Sequence, residues 1–138
     1  MEAIKEVWFS NNRIYVRLED GTSYNRPLEA FPTLMEASES ERESFEINRY
    51  GDAIRWRALD EDIHVSSFFE TKEPCRDNKV AAIFNQFPWL NVAEVARLIN
   101  VHKSVLLSYI YGMKEPSEER MQKLRNAFHY MGAKLMSA

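Results

Sequence analysis

The hydrophobic rhythm of the chain changes near its middle. Over residues 13–19, Ile14, Val16 and Leu18 alternate with Arg13, Tyr15, Arg17 and Glu19, the period of two that buries one face of a strand and wets the other. Asp20-Gly21 follows directly, and such a pair readily takes the positive φ angles of a two-residue hairpin turn. An earlier strand from about Ile4 to Ser10 reaches Arg13 through Asn11-Asn12, another turn-forming pair. The pattern predicts a three-stranded meander. After Pro27 the spacing of Phe31, Leu34, Met35 and Ala37 suits a short helix begun by Pro32, and ESERESFEI reads as a second, charged helical turn or loop. A further strand is expected over 53–57. In LDEDIHVSSFF the acidic residues precede a short apolar helix near 65–69, whose free N–H groups and dipole they would satisfy.

From Asp77 onward the spacing is helical throughout. Asp77 is placed to cap a helix with Val80, Ile83, Phe84 and Phe87 on one face, and Pro88 stops it. Asn91, with Glu94 three residues later, resembles a capping box opening a helix that carries Val95, Ala96, Leu98 and Ile99. A third helix is expected from Lys103 to Tyr111, closed by Gly112, where a residue without Cβ takes the left-handed conformation at little cost. Pro116-Ser117 opens a fourth, with Met121, Leu124, Phe128, Met131 and Leu135 along one side. Between the halves, TKEPCRDNK is polar and carries a proline, the composition of a linker. The reading is therefore an α+β protein: a small, mainly antiparallel β-sheet domain with short helices over residues 1–72, then an all-α helix-turn-helix bundle over 77–138.

Charge sharpens this division. The net charge is -3, but residues 1–76 hold 10 basic against 16 acidic side chains, while residues 77–138 hold 8 against 5. Opposite signs in the two halves hint at nucleic-acid contact by the basic one. No stretch approaches the roughly 20 apolar residues of a membrane span, and the N-terminus MEAIKEVWFS lacks a basic region followed by an apolar signal core. A cytoplasmic protein without a membrane partner is expected. The single cysteine, Cys75, has no second thiol for a disulfide or a CxxC metal site. Glycines stand scattered at 21, 51, 112 and 132, which excludes a glycine-rich phosphate loop.

The stretch VARLINVHKSVLLSYIYG, Val95–Gly112, holds two helical patterns separated by a few residues. A helix-turn-helix needs a small residue where the helices cross, a turn residue tolerant of positive φ, an apolar residue after it, and an apolar inner face on the second helix. Ala96, Asn100, Val101 and the set Leu106, Tyr109 and Ile110 occupy these places in order. With Gly112 and Pro116-Ser117, the segment Asn91 to Ser117 resembles the phage-repressor (Cro/CI-like, XRE) helix-turn-helix family. The resemblance implies a recognition helix beginning near Lys103. Lys103, Ser104, Leu107, Ser108 and Tyr111 would share its outward face, with His102 at the turn and with Arg97 and Lys114 as backbone contacts. Lysine, serine and tyrosine side chains can all donate to phosphate oxygens or base edges. Two positions depart from the family: Val92 stands where many members carry a DNA-touching glutamine, and Leu107 replaces a polar outward residue. Leucine suits a thymine methyl or a protein partner equally.

Trp8, Asp20-Gly21, Phe31, Leu34, Ile54-Arg55-Trp56 and Leu59-Asp60-Glu61-Asp62-Ile63 together resemble the small bacterial domain of unknown function called DUF family 2442, over about residues 3–70. The whole chain is similar to two-part bacterial proteins that join this domain to a helix-turn-helix and are described only as candidate DNA-binding proteins. No established activity comes with that likeness. The best acid/base cluster, Asp60, Glu61, Asp62 and His64, contains one histidine and no second ligand set, so neither an enzyme nor a resident metal or other cofactor is expected. Trp8, Trp56 and Trp89 are expected as core anchors. The function this reading supports is a sequence-specific regulator of transcription that binds double-stranded DNA as a homodimer, so as to reach two half-sites about one helical turn apart. The N-terminal domain would supply that contact or meet a protein partner. The alternative is an antitoxin-like or scaffolding interaction module that never touches DNA.

Overall fold

A computed structural model of the chain describes residues 2–138. They divide into two compact units, the first ending at Pro74 and the second spanning Cys75–Ala138. The class is α+β, two small three-stranded antiparallel sheets followed by C-terminal helices.

In the first unit β1 (Ile4–Ser10), β2 (Arg13–Leu18) and β3 (Ser23–Pro27) form the expected meander. Asn11 and Asn12 take φ angles of 51° and 61°, the left-handed pair that matches the right-handed twist of the strands they join. The β2–β3 connection differs from expectation: of Asp20 and Gly21 only Gly21 has positive φ. Asp20 Oδ1 instead accepts a hydrogen bond at 2.9 Å from the Thr22 N–H. A carboxylate that binds its own backbone two residues on makes an Asx turn, and the loop lengthens to four residues.

α1 (Pro32–Met35) and α2 (Glu39–Glu43) then lead into a second sheet of β4 (Glu46–Ile47), β5 (Ala53–Trp56) and β6 (Glu61–His64). Ser38 caps α2 with a complete capping box to Glu41. Arg42 on α2 donates to the Leu34 and Met35 carbonyls at 2.7 and 2.9 Å, satisfying the end of α1. Its own carbonyl accepts the indole N–H of buried Trp56 at 2.8 Å. The acidic run does not cap a helix. Its residues Glu61 and Asp62 belong to β6, where Asp62 sits directly opposite Arg55 and pairs with it at 2.8 Å, as does Asp60. His64 caps the short 3-10 helix Val65–Phe69, its Nδ1 accepting from the Ser66 N–H. Ile14, Val16 and Leu18 from the first sheet share one core with Ile54, Trp56 and Ile63 from the second and with Leu34, Val65 and Phe68.

The second unit contains α3 (Lys79–Gln86), α4 (Val92–Leu98), α5 (Lys103–Ile110) and α6 (Glu118–Met136). Asn78, not Asp77, caps α3. Its Oδ1 accepts from the Ala81 N–H at 2.8 Å, while its Nδ2 donates to the Cys75 and Ile110 carbonyls at 3.2 Å each. An ionised carboxylate only accepts, so an aspartate in this place would lose both bonds that Nδ2 donates. Asn91 caps α4, but the box is half made, because Glu94 turns its carboxylate to Arg97. Ser117 caps α6. Val80, Ala81 and Phe84, Val95 and Ala96, Leu106 to Ile110, and Leu124 and Ala127 make the core. Trp89 does not join it and is 64% exposed, as is Leu135 at the far end of α6 at 61%. No helix of the described residues is long and apolar enough to cross a membrane.

Gly112 follows α5 with φ at 72°. A Cβ added there would lie 2.1 Å from the Cys75 carbonyl oxygen, and the Cys75 N–H already donates to the Tyr111 carbonyl at 2.8 Å. Neither backbone can retreat without losing that bond. Gly112→Ala is therefore expected to destabilise the second unit by about 1–3 kcal/mol, read as a lower midpoint in urea with an unchanged slope. A midpoint equal to that of the unsubstituted protein would contradict it.

Candidate functional site

The residues singled out at the start of α5 owe their positions to the turn before it. α4 ends at Leu98, and Asn100 takes a φ of 58°, a left-handed state that asparagine tolerates better than β-branched residues do. The chain reverses there, and the Val101 N–H returns to the Ala96 carbonyl at 3.0 Å. Ala96 is buried where α4 and α5 approach. The small side chain predicted for the crossing and the left-handed turn residue are both where the sequence placed them.

His102 then caps α5. Its Nδ1 accepts from the Ser104 N–H at 3.1 Å and lies 2.8 Å from Ser104 Oγ. A backbone N–H is always a donor, so Nδ1 carries no proton and the neutral ring bears it on Nε2. His102 is exposed, while Lys103 and Ser104 are half-buried at the surface. These three form the accessible first turn of the helix, where unsatisfied N–H groups and the helix dipole favour an anion.

Beyond that turn the expected outward face fails. Leu107 is 6% exposed and Ser108 4%. Leu107 belongs to the core of the unit, and Ser108 Oγ donates to the Val105 carbonyl at 2.5 Å. The Ser108 carbonyl accepts from the Met113 and Lys114 N–H groups, so the loop after the helix folds back on it. Five consecutive residues, Leu106 to Ile110, are buried, which surrounds the helix on every side because successive residues turn by about 100°. Tyr111 is half-buried, with the Arg76 guanidinium 5.7 Å from its ring centre. Leu107 and Ser108 are thus unavailable to a groove.

The proposed backbone contacts also divide. Lys114 is exposed. Arg97 is exposed but donates through Nε and Nη2 to Glu94 at 3.0 and 2.8 Å. On α6, Arg120 donates to the Tyr109 hydroxyl at 3.1 Å and Arg125 to Glu118 at 3.0 Å. Lys123 is exposed. Elsewhere among the described residues no group of three or more His, Cys, Asp or Glu side chains could hold a metal ion. The sequence reading missed a cluster in the first unit, Arg13, Arg26 and Glu73, in which Arg26 is buried and Arg13 donates to Glu73 at 2.7 Å. The signal was present: Arg26 occupies a core-facing position of a strand, where an apolar residue is the norm.

Residues 4–73 match the family model described as protein of unknown function, DUF2442. The chain belongs to the DUF2442 family. The matched segment covers both sheets and the segment reaching Glu73. Among solved structures, the DUF2442 chain is similar to a protein of unknown function from Rhodospirillum rubrum at 24% identity, covering 52% of this chain and 94% of that one with a TM-score of 0.44. It is also similar to a candidate DNA-binding protein from Nitrosomonas europaea, at 7% identity over 90% of this chain and 84% of that one, with a TM-score of 0.36. No curated protein matches the chain.

The burial of Leu107 makes its removal a packing change. Leu107→Ala is expected to cost about 2–5 kcal/mol of stability, as for other buried leucines, in equilibrium urea unfolding. A loss below about 0.5 kcal/mol, the range of exposed positions, would put the side chain back at the surface.

Proposed function

We propose that the second unit is a helix-turn-helix that binds double-stranded DNA through the first turn of α5, and that the chain is a regulator of transcription acting as a homodimer. The observation that carries this reading is the α4–α5 junction. Ala96 is buried at the crossing, Asn100 is left-handed, and His102, Lys103 and Ser104 reach the surface at the helix start while Leu106 to Ile110 are buried. A helix docked this way offers a groove its N-terminal end and keeps its remainder for the core. His102 Nε2–H and the Lys103 ammonium are donors suited to phosphate oxygens, and the lysine also to guanine, while the Ser104 hydroxyl donates to His102 Nδ1 and helps hold the ring. Lys114, exposed in the loop after α5, adds a charge at the opposite end of that helix. With Leu107 and Ser108 withdrawn, few side chains reach base edges, so phosphate contact dominates affinity and specificity comes from pairing two subunits.

In this reading the chain is not an enzyme, a view supported by the neutralisation of its best carboxylates: Asp60 and Asp62 both pair with Arg55. A second reading, a protein-interaction module, is favoured by one observation. Trp89 and Leu135 line a groove of about 440 Å³ with Ile83, Phe87, Phe128 and Met131, on the second unit.

Fluorescence anisotropy with a random duplex separates the two. The logarithm of the observed affinity should fall linearly with the logarithm of salt concentration, with a slope near -0.9 per phosphate neutralised. Lys103→Ala should weaken binding and flatten that slope by about one unit, in a protein that still unfolds cooperatively in urea. Glu94→Gln, which releases Arg97, should strengthen binding at low salt. Absence of binding at low salt by the folded protein would exclude the DNA reading and leave the interaction module.

A further inference from the structure

Two arginines of the first unit converge on one carboxylate. Arg26 on β3 lies opposite Ile14 on β2, and it is 2% exposed. Arg13, opposite Pro27, donates through Nη1 and Nη2 to the two oxygens of Glu73 at 2.7 and 3.1 Å and through Nε to Asn25 Oδ1 at 2.5 Å. Arg13 is thereby satisfied. Arg26 is not. Its Nη1 lies 3.9 Å from Glu73 Oε2, close enough for attraction but too far for a hydrogen bond. Both Nε and Nη1 are buried without an acceptor among the described residues.

This arrangement is costly for a fold alone, because a buried guanidinium with unmatched donors forfeits the hydration it had in the unfolded chain. Glu73 cannot repair it. Its two oxygens are both engaged by Arg13, and its single negative charge faces two positive ones. The Arg13 hydrogen bond, followed by the attraction of Arg13 and Arg26, holds the Glu73 carboxyl below the usual carboxylate range against an opposing effect of burial. Yet Glu73 is more than half exposed and belongs to a segment, Glu70–Pro74, without helix or strand. A tetrahedral oxyanion has more acceptors and up to two charges. It could keep the fork of Arg13 and reach Nη1 of Arg26 together.

We propose that Arg13 and Arg26 form a binding site for a phosphate-type oxyanion, free phosphate or a phosphate monoester, and that Glu73 is a built-in carboxylate that occupies the site until such an anion displaces it. The site belongs to the first unit and shares no residue with the proposed DNA contact.

The test uses the full chain at constant ionic strength. Calorimetric titration with inorganic phosphate should give an affinity for Glu73→Gln at least about tenfold above that of the unsubstituted protein, since a carboxylate that fills the site about nine-tenths of the time lowers apparent affinity by that factor. Acetate, planar and singly charged, should bind far more weakly than phosphate. Glycerol phosphate in parallel tells the two sources apart: binding as tight as phosphate admits a monoester, and failure restricts the site to the free ion. Adding Arg26→Met to Glu73→Gln, a change that removes a buried charge and keeps bulk, should abolish the gain. Phosphate affinity equal with and without Glu73, or unaffected by loss of Arg26, would overturn the proposal. Should Glu73→Gln fail to fold, the unsubstituted protein decides. Its Arg13 and Arg26 Nε–H NMR signals should move together and saturate with phosphate but not with chloride, and signals that stay still would overturn it equally.

Discussion

α5 runs from Lys103 to Ile110, and its last five residues are all buried. A helix of eight residues has almost no stability of its own, since isolated helices shorter than about 12–15 residues are marginal in water. It exists because its neighbours hold both ends and all sides. At the start, the left-handed Asn100 and the His102 cap fix its entry. At the finish, Asn78 donates to the Ile110 carbonyl and the Cys75 N–H donates to that of Tyr111. α3, α4 and α6 contribute the other members of the core that encloses it. The same enclosure that makes α5 stable restricts what it can offer to a partner, which is its first turn.

That restriction sets the character of any DNA contact. A long exposed recognition helix reads several base pairs by side chains along its length. Here the available donors are concentrated at one end, and much of the surrounding positive charge is spent internally: Arg97 on Glu94, Arg125 on Glu118, and Arg120 on the Tyr109 hydroxyl. On the proposed DNA reading, such a helix would depend on phosphate attraction and on a second subunit more than on a rich set of base contacts.

The legible parts of the fold were those in which local chemistry and tertiary demand agree. Alternation in β2, the Asn11-Asn12 turn, the Asn91 and Ser117 caps, Asn100 and Gly112 all satisfy a backbone requirement that only a few residue types can meet. His102 meets such a requirement as well, as the cap of α5. Leu107 and Ser108 were not, because helical spacing divides residues into two faces and cannot say that a central helix is covered on both. The acidic run was misread because its sequence fits a helix start, while the deciding partner, Arg55, is supplied by the adjacent strand. Trp89 was expected inside on size alone, yet it follows Pro88 in the α3–α4 connection, where the chain faces water. β4 is two residues long, too short for any period to register.

The two histidine caps show how far local chemistry can carry. His64-Val65-Ser66 and His102-Lys103-Ser104 use the same device: Nδ1 accepts from the N–H two residues on, at 3.1 Å in both, with a serine hydroxyl beside it. In each ring Nδ1 is the acceptor, which leaves Nε2 as the donor of the neutral form. In the first unit that donor lies 3.8 Å from Asp52, too far for a hydrogen bond. The histidine of the second unit has the exposed surface of the α5 first turn around it instead. One motif therefore caps a helix in both places, and the two differ in what stands near the outer ring nitrogen, Asp52 in the first unit and the exposed first turn of α5 in the second.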